Sequence, residues 1–147
     1  MVRRTEAASF MPGAWVFPGG VVETDEATTE PTGDAQGAEI DADELAHRAC
    51  AIRELREEAG IELPAAAELV PWSRWITPEP SPVRFDTRFY VALAPAHSPP
   101  KPDGVEVTAA EWFRPSDALE RHAAGELEMA FPTIRHLESL LPYRSAE

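Results

Sequence analysis

The sequence predicts an α/β (α+β) fold in a single domain. One long helix is written between Glu44 and Ile61, short strand signals lie on both sides of it, and two further helices close the chain. A length of 147 residues suits one hydrophobic core, and 44% hydrophobic with 27% charged residues is the balance of an ordinary globular chain. The domain is therefore assigned to residues 1–147, with an exposed acidic insertion at about 24–41.

Val2-Arg3-Arg4 reads as the end of a strand whose beginning is missing. Ser9 to Gly13 is turn-rich, and Ala14-Trp15-Val16-Phe17 is a short strand ending at Pro18-Gly19-Gly20. The two glycines let the backbone turn sharply or approach a ligand closely. From Glu23 to Asp43 the chain is acidic, rich in Thr, Ala and Gly, and nearly free of large apolar residues. Such a segment cannot bury enough surface to offset its ordering entropy, so it reads as a mobile loop, with a substrate-covering role as the alternative.

The helix that follows carries Leu45, Ala49, Ile52, Leu55 and Ala59 at steps of three and four, which predicts one apolar stripe facing the core. Asp41 with Glu44 resembles a capping box, and Gly60 stands where a left-handed terminator belongs. Glu54, Glu57 and Glu58 then fall on the face opposite the stripe. Three carboxylates on one turn repel one another, and hard divalent cations favour such an oxygen cluster; a solvated acidic face is the plainer alternative.

Leu69 to Pro78 reads as a strand bearing two tryptophans, and Arg84 to Leu93 as the clearest strand of the chain. His97 to Gly104 is Pro-rich loop. Glu106-Val107 and Glu111-Trp112-Phe113 give a further strand region. Pro115 opens a helix stopped by Gly125, and a last helix runs from Ile134 to Leu141 behind Phe131-Pro132-Thr133.

Arg53-Glu54-Leu55-Arg56-Glu57-Glu58-Ala59-Gly60-Ile61 fits the second half of the Nudix box, Arg-Glu-(apolar)-x-Glu-Glu-x-Gly-(apolar), at every fixed position. The first half normally sets Gly-x5-Glu shortly before that Arg. Gly20 resembles the opening Gly, and Glu44 stands near the place of the Glu, one residue further from Arg53 than usual. The chain thus resembles the Nudix hydrolase family, in the branch with an interrupted box that includes peroxisomal-type coenzyme A diphosphatases. That resemblance implies a mixed β-sheet sandwiched between helices.

It also implies a site. Glu54 and Glu58 are expected to bind Mg²⁺ or Mn²⁺, with Glu57 completing the cluster directly or through water, and Arg53 is expected to orient Glu57. The base that activates water is Glu57 or another box glutamate, or a loop carboxylate. Glu106, six residues before Trp112, resembles the loop glutamate of some family members, with Glu111 and Asp103 as competitors. Arg4, Gly19, Gly20 and Arg84 are assigned to substrate binding. Trp72, Trp75 and Phe85 are candidates to stack on an adenine, against burial as the ordinary fate of such rings.

The implied reaction cleaves a diphosphate in a nucleoside diphosphate linked to another moiety, with coenzyme A or its derivatives leading. Hydrolysis of nucleoside triphosphates, dinucleotides or ADP-sugars is the alternative, followed by a non-catalytic binding module. Counted back from Phe17, the coenzyme A pattern finds Gly13 and Arg4 in place but Ser9 where a second Arg belongs. With 26 acidic against 13 basic residues, net −13, a nucleic-acid partner is not expected. No apolar run suits a membrane span and no signal peptide is read; Cys50 is the sole cysteine, so a cytoplasmic setting is expected and a homodimer is left open.

Overall fold

The structure is a computed structural model that describes residues 1–26, 41–81 and 83–143. The described residues form β1 (Val2–Arg4), β2 (Trp15–Val16), α1 (Ala42–Ala59), β3 (Val70–Ile76), β4 (Asp86–Val91), β5 (Val107–Ala110), α2 (Pro115–Ala123) and α3 (Phe131–Leu140). The α/β class expected from the sequence holds. The strands divide into two antiparallel ladders, β2-β1-β5 and β3-β4, and a lone bridge between Trp15 and Met129 supplies the parallel pairing.

Alternation along β1 explains how the first ladder sits between helices. Val2 faces Val16 and Ala110 across the ladder, and this face packs on Leu55, Ala59 and Ile61 at the C-terminal end of α1, together with Val107. Arg3 lies between Trp15 and Ala109, and that opposite face packs on Ala118 of α2 and Leu137 of α3. Val2 and Val107 are fully buried. Truncating either to Ala would leave a cavity costing about 2 kcal/mol or more.

Helix α1 begins where the Asp41 carboxylate accepts the Glu44 N–H at 2.7 Å and ends at Gly60, with φ 63° and ψ 22°. Its buried residues are Ala46, Cys50, Glu54, Glu58 and Ala59. The apolar stripe expected from the sequence is therefore rotated: Ile52 is 42% exposed, and Glu54 and Glu58 turn inward. Small side chains at 46 and 50 let this face approach the Gly19–Glu26 segment, whose groups receive the carboxylates. Only Glu57 keeps the outward position expected for all three.

The second ladder is fastened to α1 and to α3. Arg88 on β4 donates to Glu44 at 2.7 Å and also pairs with Asp43. His136 of α3 is buried; its Nδ1 donates to the Pro132 carbonyl at 2.5 Å, and its Nε2 lies 2.5 Å from Ser73 Oγ on β3. Phe89 stacks on that imidazole with ring centroids 4.1 Å apart. Trp72 Nε1 donates to Ser139 at 3.2 Å.

Some boundaries differ from expectation. Strand β5 ends at Ala110 rather than running on to Phe113: Glu111 still exchanges backbone bonds with Met1, and Phe113 then packs edge-on against Trp15. Helix α3 starts at Phe131, since Pro132 suits the first turn, where no N–H is needed. Residues 27–40, most of the expected insertion, lie outside the described residues. At its start Thr24 and Asp25 form a turn, but Glu26 is buried rather than exposed, because its carboxylate meets Arg53.

Candidate active site

Three elements supply the site: α1, the segment after β2, and the loop before β5. Together they line a pocket of about 580 Å³ that includes Glu54, Glu57, Glu58, Asp103, Glu106 and Arg53. Glu54 and Glu58 stand one helical turn apart, which puts both carboxylates on the same face of α1. Glu58 Oε2 accepts the Gly19 N–H at 3.0 Å. Gly20 packs directly beneath Glu54: a Cβ there would lie 1.9 Å from Glu54 Oε1. Both glycines assigned to substrate binding thus also lie against the glutamates, Gly19 through a bond and Gly20 by close approach.

Arg53 organises the cluster. Its Nη1 donates to Glu54 at 2.8 Å and to Glu57 at 3.1 Å, its Nη2 to the Val21 carbonyl at 3.1 Å, and its Nε to Glu26 at 2.9 Å. Glu26 Oε2 in turn accepts the Glu23 N–H at 2.7 Å. Arg53 thus bonds to Glu57, the residue it was expected to orient, and to Glu54 as well. Glu26 is the residue the sequence reading passed over. It follows Gly20 at the Gly-x5-Glu spacing of the first half of the box, whereas Glu44 pairs with Arg48 at 2.8 Å and with Arg88. The spacing from Gly20 was the available signal; counting back from Arg53 across the insertion concealed it.

Charge is concentrated here. Burial, with the neighbouring charges of Glu54 and Glu106, pushes the Glu58 carboxyl up to about 7 against the pull of the Gly19 N–H and of Arg4. Burial likewise raises Glu54, with Glu57 and Glu106 adding to it and Arg53 opposing. Glu26 is lowered: its burial is overcome by the bond from Arg53 and the Glu23 N–H. Among the described residues no three Asp, Glu, His or Cys side chains converge on one ion-sized point. The donor set is nonetheless all carboxylate oxygen, which suits a hard divalent cation, and a bound cation would relieve the repulsion that raises Glu58.

The loop before β5 is tightly built. Asp103 accepts the N–H groups of Val105 and Val107 at 3.0 Å each and that of Glu106 at 3.2 Å, with Gly104 at φ 78° closing the turn. These bonds hold Asp103 below the usual carboxylate range despite its burial. Asp103 shapes the loop and Glu106 is the carboxylate presented, on a backbone anchored by Thr5 N–H to the Glu106 carbonyl at 2.9 Å. Glu111 lies outside this pocket's lining.

Arg4 donates from Nε to the Phe10 carbonyl at 2.9 Å and its charge acts on Glu58. Arg84 stands apart from the pocket, donating to the Thr77 carbonyl and to Glu79 at 3.0 Å each. Trp72 packs on Tyr143, and Trp75 on Phe131 and His136, so both tryptophans serve the contact between β3 and α3.

A sheet held between α1 and the α2–α3 pair, with glutamates one turn apart above a double glycine, is the arrangement of a Nudix domain. The family pattern described as NUDIX domain matches residues 34–131, and the chain belongs to the Nudix family. It is similar to the acyl-coenzyme A diphosphatase NUDT19 of Gallus gallus, 27% identical over 98% of this chain and 61% of that protein. The acyl-coenzyme A diphosphatase NUDT19 of Homo sapiens is 24% identical over 99% of this chain and 60% of that protein. The chain thus spans about three fifths of the length of these relatives. The crystal structure of a NUDIX hydrolase from Alicyclobacillus acidocaldarius superposes with a TM-score of 0.77 at 27% identity, covering 99% of this chain and 83% of that one. No helix among the described residues is long and apolar enough to cross a membrane.

Proposed function

We propose that this chain is a divalent-metal-dependent hydrolase that cleaves a diphosphate bond in a nucleoside diphosphate linked to another moiety. The observation that carries this reading is the pair Glu54 and Glu58, buried on α1 with Glu57 and Glu106 in the same pocket. Glu54, Glu58 and, directly or through water, Glu57 are the residues that would hold Mg²⁺ or Mn²⁺. Such an ion supplies charge neutralisation for the diphosphate and lowers the pKa of bound water. Arg53, fixed by Glu26, keeps Glu54 and Glu57 in place, and Gly19 aims Glu58. Glu106 is the carboxylate best presented to take a proton from the attacking water, on a loop braced by Asp103.

Coenzyme A or a derivative is the leading substrate, supported by the relatives named acyl-coenzyme A diphosphatase and by Arg4 beside the pocket. Ser9 in place of a second Arg favours nucleoside triphosphates, dinucleotides or ADP-sugars as the second reading, because Ser lacks the charge and the fork of a guanidinium. Coenzyme A, NADH, ADP-ribose and nucleoside triphosphates, each assayed with Mg²⁺ or Mn²⁺, form the deciding panel. Cleavage of coenzyme A at the diphosphate is expected to lead. Turnover unaffected by a chelator would overturn the metal assignment, and no turnover of any compound would overturn the hydrolase reading.

A further inference from the structure

We propose that Phe10 and Phe85 form a nucleobase-binding platform beside the carboxylate pocket. This inference rests on the hydrolase reading above and adds the place where the base of the substrate stacks.

The two rings come from different loops, one between β1 and β2 and one between β3 and β4, and meet with centroids 5.9 Å apart at 53°. Phe10 is 56% exposed and Phe85 44% exposed, so each ring presents apolar surface to solvent. Trp75 and Phe89 of the β3–β4 ladder instead pack, half-buried, on the buried His136, and Trp15 packs on Phe113. The exposed pair is also held in place by its backbone. Arg4 fixes the Phe10 carbonyl at 2.9 Å, and Phe85 exchanges bonds with Thr77, its N–H to Thr77 Oγ1 at 3.0 Å and its carbonyl to the Thr77 N–H at 2.9 Å. Rings presented on fixed backbones lose little freedom when they bind.

Location ties the pair to the pocket. Thr5 donates its N–H to the Glu106 carbonyl at 2.9 Å, so the loop that carries Phe10 leaves from the rim of the carboxylate site. Arg4 lies between, opposite Val107 in the ladder, with its charge felt by Glu58. Among the described residues its bond is made through Nε, which leaves the terminal guanidinium nitrogens for a phosphate oxygen. Carboxylates for a metal-bound diphosphate, a guanidinium for a phosphate oxygen and an aromatic pair for a base are thus linked through Arg4.

Calorimetric titration of the full chain with AMP and with ribose 5-phosphate, in Mg²⁺, tests the platform without turnover. AMP is expected to bind more tightly than ribose 5-phosphate, and Phe10→Ala or Phe85→Ala to weaken AMP by roughly five- to a hundredfold, the range for losing one base–aromatic stack. Ribose 5-phosphate should bind these variants as it binds wild type, and Phe85→Tyr should restore AMP affinity. Equal affinity of wild type for the two ligands, or unchanged AMP binding in both Ala variants, would overturn the proposal. A change in sedimentation between wild type and the double Ala variant would assign the rings to self-association and overturn it too. If wild type cleaves none of the diphosphate panel, the hydrolase reading falls while the AMP titration still decides the platform. If it cleaves one and both Ala variants keep its KM, the platform falls alone.

Discussion

Glu58 is a buried carboxylate among like charges, and its titration has a definite sign. An unfolded Glu ionises near 4.5, while folded Glu58 keeps its proton to about 7. Between those values the folded state binds more protons, so the stability contributed by neutral Glu58 is present below about 4.5 and is lost as pH rises to about 7. At roughly 1.4 kcal/mol per pH unit, the loss is bounded at about 3 to 4 kcal/mol. Glu58→Gln should therefore leave metal-free protein more stable than wild type above about pH 7 and equal to it near pH 4.5, while abolishing hydrolysis. Urea melts of both proteins across that range, with a chelator present, would read it; a constant difference at all pH values would refute the assignment. Glu26→Gln is expected to lower turnover by roughly ten- to a hundredfold with KM little changed, because Arg53 loses the charge that fixes it. A melting temperature and circular dichroism spectrum matching wild type, measured beside the steady-state kinetics, would separate that outcome from misfolding, which lowers active concentration without altering KM. If coenzyme A is cleaved, dephospho-coenzyme A should be cleaved nearly as well, since Ser9 offers no guanidinium to the 3′-phosphate. A strong preference for the 3′-phosphorylated form in a direct competition assay would show that another cation, Arg4 first, reads that group.

At the scale of elements, the two halves of the glutamate motif are joined through space. Glu26 and Asp41 are both anchored, one to Arg53 and one as the cap of α1, with residues 27–40 between them. Joining Glu26 to Asp41 by a few residues should shift the melting temperature by no more than a few degrees, because loop-closure entropy varies slowly with length. Extending the deletion through Glu26 should lower turnover as Glu26→Gln does. A raised KM in the shorter deletion, with the melting temperature unchanged, would mark the segment as substrate-covering. The same elements show what the sequence discloses. Gly60, Pro115 and Gly125 mark helix ends through backbone chemistry that is local, and α1, α2 and the β3–β4 hairpin lie close to where those signals put them. The orientation of α1 is not local. A stripe of Leu45, Ala49 and Ile52 is the best apolar face by composition, yet the helix turns Glu54 and Glu58 inward because Arg53 and the Gly19 N–H wait there. Burial by hydrophobicity alone cannot anticipate a face that is satisfied by charge. Glu26 was hidden for a related reason, since its partner is distant in sequence. The end of β5 likewise goes with the packing of Phe113 on Trp15, a partner distant in sequence.

For the whole molecule, a net charge of −13 and an acidic pocket couple stability to cations. Mn²⁺ at a hundred times its dissociation constant should stabilise the protein by about 2.7 kcal/mol, a rise of roughly 5–10 °C in melting temperature for a domain of this size. Glu54→Gln and Glu58→Gln should each erase most of that rise, and differential scanning calorimetry of the three proteins would show it. An equal rise in all three would place the cation elsewhere. The lone thiol offers a way to time such effects. Cys50 lies on the buried face of α1 next to Arg53, at 3.6 Å from its Nη2, and burial with nearby Glu26 raises the thiol against the pull of Arg53. A reagent can alkylate it only during the moments when α1 parts from the strand-end glycines and Glu26. The labelling half-life is thus a clock for how often α1 comes loose, readable by mass with no residue changed.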